Sequence, residues 1–63
     1  MRYVIQWEKN TITGRWNKDH RFNTETRFDA IAYALDWMDG DKDGFCLSEC
    51  DAFGWPATVV AQA

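Results

Sequence analysis

The chain has 63 residues, a formal net charge of −3, and a composition that is 46% hydrophobic and 16% aromatic. This length predicts one domain, residues 1–63, close to the lower size limit for a core that folds alone. The apolar content excludes a disordered chain, and no stretch approaches the roughly 20 apolar residues that span a membrane. Because residues 2–8 are too polar for the apolar region of a signal peptide, we expect a cytoplasmic protein.

The N-terminal segment predicts a β-strand. In residues 2–8, β-branched and aromatic residues recur at every second position, which is typical of a strand with one buried face. Tyr3, Ile5 and Trp7 would face the core. Val4 would lie on the opposite face.

Three further strands are predicted along the chain. The second runs from about residue 15 to residue 22, with Trp16 and Phe22 toward the core and basic residues that suit an exposed edge. Residues 45–50 alternate again, and residues 58–62 form a short apolar run that predicts a last strand.

Between residues 23 and 39, the spacing of apolar residues predicts one helix. Asn23, Thr24 and Thr26 are alternative N-caps, and Gly40 suits the position just after the last turn. The stripe expected to face the core consists of Phe28, Ile31, Ala32, Leu35 and Met38, widened by Ala30, Tyr33, Ala34 and Trp37. The element order is ββαβ, or ββαββ with the last strand. It predicts an α+β fold with one helix packed on a small antiparallel sheet.

Charge is distributed unevenly along the chain. Residues 1–28 contain six basic and three acidic residues, whereas residues 29–63 contain one basic and seven acidic residues. Asp36 and Asp39 also oppose the dipole of the predicted helix, at a cost of about 0.3–1 kcal/mol each. A cation or a basic partner would offset that cost. The acidic segment therefore predicts either a cation site or a face that docks on a basic partner.

Residues 39–44 resemble the first half of a calcium-binding EF-hand loop, which has acids at positions 1, 3 and 5 and glycine at position 6. Asp39, Asp41 and Asp43 would be the ligands, and calcium would be the cofactor. The second half of the loop departs from this pattern, because position 12 is Cys50 rather than glutamate. An ordinary Asp/Gly turn is the alternative interpretation.

Other chemistries have less support. Cys46 and Cys50 predict free thiols, because their Cα atoms would lie about 13 Å apart along a strand, beyond disulfide reach of about 7 Å. With His20 they do not complete the four ligands of a zinc site. A nucleophile motif and a glycine-rich phosphate loop are both absent from the sequence, so we expect no enzyme. The net negative charge argues against direct nucleic-acid binding.

In its small size, its acidic segment at residues 36–51 and its aromatic richness, the chain resembles the very small single-domain inhibitors of bacteriophages and mobile elements, such as anti-CRISPR and anti-restriction proteins. The resemblance implies a stoichiometric inhibitor that blocks the DNA-binding surface of a nuclease or surveillance complex.

We therefore expect a small inhibitor or adaptor, without a cofactor, that binds a basic protein or nucleic-acid-binding complex. The expected contact charges are Asp36, Asp39, Asp41, Asp43, Glu49 and Asp51, with Trp37 or Trp55 as the apolar anchor. One alternative is a divalent-cation-binding domain that uses Asp39, Asp41 and Asp43. Another is an accessory interaction domain whose acidic face only maintains solubility.

Overall fold

The computed structural model describes residues 2–39 and 44–63. These residues form strands β1 (Arg2–Lys9), β2 (Trp16–Asn23), β3 (Phe45–Cys50) and β4 (Pro56–Gln62), with helix α1 (Arg27–Trp37) between β2 and β3. All neighbouring strands are antiparallel, and their order in the sheet is β2-β1-β3-β4. The α+β prediction is confirmed, in its ββαββ form.

In the described residues, α1 is too short to cross a membrane.

The helix begins at one of the three predicted caps. The Thr26 side chain accepts a hydrogen bond from the Asp29 N–H at 3.1 Å, which satisfies a backbone donor that the first turn leaves unpaired. At the other end, the Met38 N–H donates to the Ala34 carbonyl at 2.9 Å. The predicted stop at Gly40 lies outside the described residues.

The helix packs on the sheet through part of the predicted stripe, on the side of Ala30, Ala34 and Met38, with Ile31 partly buried against the core. Ala30, Ala34 and Met38 are buried, whereas Phe28 is 80% exposed and Leu35 is 58% exposed. The physical reason is volume, because the sheet already supplies large buried side chains beneath the helix. These side chains are Tyr3, Ile5, Trp7, Phe45 and Leu47. Small helix residues let the backbone approach that surface without overpacking.

The second strand contributes less to the core than predicted. Phe22 packs against the core and stacks on Tyr3, with ring centroids 5.8 Å apart. Trp16 is only half-buried, and the Lys9 ammonium lies 5.7 Å from its ring centroid.

The central strand β1 is buried on both faces at Tyr3, Val4 and Ile5, which the alternation of its sequence did not predict. Val4 faces away from the helix yet is fully buried. Arg21 lies opposite Val4 in register, and its Nη2 donates to the Gly54 carbonyl at 3.0 Å. The β3–β4 loop therefore reaches across β1 toward the edge strand β2 and contributes to covering Val4.

Candidate functional site

The described members of the acidic segment lie at two ends of the helix. These members are Asp36, Asp39, Glu49 and Asp51. The first two are at the C-terminal end of α1, where Trp37 contacts Trp7 with ring centroids 6.4 Å apart. The last two are near the N-terminal end of α1, where the Arg27 Nε donates to Glu49 Oε2 at 3.2 Å. The eleven residues of α1 place its two ends roughly 16 Å apart.

Asp36 and Asp39 are both exposed. The last turn of α1 carries no basic residue, so the negative end of the helix dipole meets two carboxylates. Asp41 and Asp43 lie outside the described residues. The predicted calcium ligands are therefore described only at Asp39.

The other two acids already have contacts within the chain. Glu49 pairs with Arg27, and its hydrogen bond and negative charge raise the pKa of the Arg27 guanidinium above its ordinary value. Asp51 Oδ1 accepts hydrogen bonds from the N–H groups of Phe53 at 2.9 Å and Trp55 at 3.0 Å. Both carboxylates are therefore less available to a partner than Asp36 and Asp39.

The two predicted anchor tryptophans have different environments. Trp37 stacks on His20 with centroids 3.9 Å apart and rings 3° from parallel, and His20 Nε2 is hydrogen-bonded to the Tyr33 hydroxyl at 2.8 Å. Trp37 therefore joins the helix to the edge strand β2 and is partly committed to the fold. Trp55 is 66% exposed.

Several hydrogen bonds within the β3–β4 loop involve the backbone of Trp55 and its neighbours. The Asp51 N–H donates to the Trp55 carbonyl at 2.8 Å, and the Gly54 N–H donates to the Asp51 carbonyl at 3.0 Å. Arg2 Nη2 donates to the Ala52 carbonyl at 3.1 Å. Gly54 has a φ of 87°, a conformation that favours glycine. The loop therefore presents its aromatic side chains from a hydrogen-bonded backbone.

The most exposed apolar surface on the helix was not predicted as a site. Phe28, Ala32 and Leu35 are exposed at positions i, i+4 and i+7 of α1, and we call these three residues the outer helix face. This spacing places them on one stripe. Asp36 and Asp39 border the C-terminal half of that stripe. The sequence did contain a signal for this surface. The apolar stripe of the helix is wider than one face packed on a sheet requires.

The two thiols and the histidine belong to no group of metal ligands in the described part of the chain. Cys46 and Cys50 are free cysteines, as predicted, and Cys46 is buried. Across residues 2–39 and 44–63, no three side chains of histidine, cysteine, aspartate or glutamate are grouped for a metal ion.

Comparison with known proteins identified no relative of this chain. The chain matches no protein-family model, no curated protein and no solved structure. The functional proposal therefore depends on the surface chemistry of this chain alone.

Proposed function

We propose that this chain is a protein-binding inhibitor or adaptor that docks its outer helix face on the basic, nucleic-acid-binding groove of another protein. The observation that carries the proposal is the exposure of Phe28 and Leu35 beside the two acids at the end of α1. A monomeric protein gains little from large apolar side chains in water, and such surfaces are typical of interaction sites.

The apolar residues would supply most of the affinity. Burying a phenylalanine or leucine side chain contributes about 1.5–3 kcal/mol relative to leaving it exposed. Phe28 and Leu35 lie two turns apart on one helix, so an elongated groove would accept both together. This arrangement corresponds to the helix-in-groove mode of recognition, in which residues at i, i+4 and i+7 are the anchors.

The acids would select the partner. Asp36 and Asp39 are exposed, and a groove rimmed by lysine and arginine would offset their unfavourable position at the helix C-terminus. Grooves with this charge are typical of proteins that bind nucleic-acid phosphates. A helix bound there would compete with the nucleic acid, which supports an inhibitory role.

The fold supports binding without a large ordering cost. The N-terminal cap at Thr26 and the packing of Ala30 and Ala34 hold α1 against the sheet before any partner arrives. Preorganised surfaces lose less conformational entropy when they bind.

The test uses the purified, immobilised chain to capture proteins that bind it, and it compares three forms of the chain. These are the wild type, the double variant Phe28→Ser/Leu35→Ser, and the control Ile12→Ser. Ile12 is an exposed apolar residue in the β1–β2 turn, far from α1 in sequence. We expect wild type and the control to retain the same basic protein, with or without a metal chelator, and the double variant to lose it.

The captured protein is then purified and bound to fluorescently labelled DNA. We expect the wild-type chain to displace the DNA and the double variant to fail while keeping its near-UV circular dichroism. Retention of the captured protein by the folded double variant would overturn the assignment of the outer helix face. Continued DNA binding at saturating wild-type chain would overturn the inhibitory role.

A further inference from the structure

We draw no further inference here: the strongest candidate, the exposed aromatic pair Phe53 and Trp55 on the β3–β4 loop, carries nothing, because the two arginines beside it are already hydrogen-bonded to loop carbonyls and no feature of residues 2–39 and 44–63 shows what would cover the rings.

Discussion

At the scale of single residues, Asp51 and Glu49 use their carboxylates within the chain. The Asp51 Oδ1 accepts from two backbone N–H groups of its own loop, and Glu49 pairs with Arg27. Aspartate at the start of a turn commonly binds the backbone two residues on. The acidic pattern of the sequence identified these residues, but a count of charges does not distinguish a turn cap from a contact residue.

Replacing Asp51 separates these two roles. We expect Asp51→Ala to lower the free energy of unfolding by about 1–2 kcal/mol, because two backbone donors lose their acceptor. Asp51→Asn keeps an acceptor oxygen and removes the charge, so its stability should stay close to that of wild type. Urea denaturation followed by tryptophan fluorescence measures both. Equal losses for the two variants would show that the charge, rather than the cap, stabilises the loop.

At the scale of elements, helix α1 carries apolar residues around most of its circumference. The periodicity predicted that a helix lies between residues 23 and 39, and Thr26 was among its predicted caps. The predicted stripe was wide, and the periodicity did not predict that its alanine side, rather than Phe28 and Leu35, packs inward. That choice depends on the side chains beneath the helix, and the large rings of the sheet favour the alanine side.

Two alanine substitutions test this orientation. We expect Ala34→Leu to destabilise the protein by about 1–3 kcal/mol, because it forces extra volume into a filled interface. The control Ala32→Leu adds the same volume to the outer helix face and should change stability by less than about 0.5 kcal/mol. Thermal and urea unfolding give the comparison. A larger loss for Ala32→Leu would mean that the helix packs through the face predicted from the sequence.

At the scale of the whole molecule, the acids are divided between two ends. Asp36 and Asp39 end the helix, and Asp51 starts the β3–β4 loop beyond the other end. Charges at the rim of an interface change association rates more than they change dissociation. If the partner contacts only the end with Asp36 and Asp39, removing those charges should change the association rate, whereas removing the charge of Asp51 should not.

We expect Asp36→Asn/Asp39→Asn to slow association with the captured basic protein several-fold and to reduce its dependence on salt, since steering is lost. The same variant should unfold at a higher temperature than wild type, because the unfavourable contact with the helix dipole is removed. Asp51→Asn is the control at the opposite end and should leave the association rate unchanged. Surface plasmon resonance at several salt concentrations measures the rates. An equal effect of Asp51→Asn would place the contact surface across both ends.

The sequence by itself determined the elements and the fold class. Alternation in residues 2–8 and 45–50, the helical spacing from residue 27 onward and the cap at Thr26 are local signals. They depend on backbone geometry and near neighbours along the chain. The predicted ends of β3 match the observed ones, and each of the other three strands differs from its prediction by one or two residues at one or both ends.

Tertiary structure alone decided which surfaces are free. Val4 is buried on the face away from the helix, where Arg21, its partner in register, is hydrogen-bonded to the β3–β4 loop at Gly54. Phe28 and Leu35 are exposed because distant rings already fill the space under the helix. Such outcomes depend on contacts between residues far apart in sequence, and hydrophobic periodicity does not encode which of two apolar faces meets them.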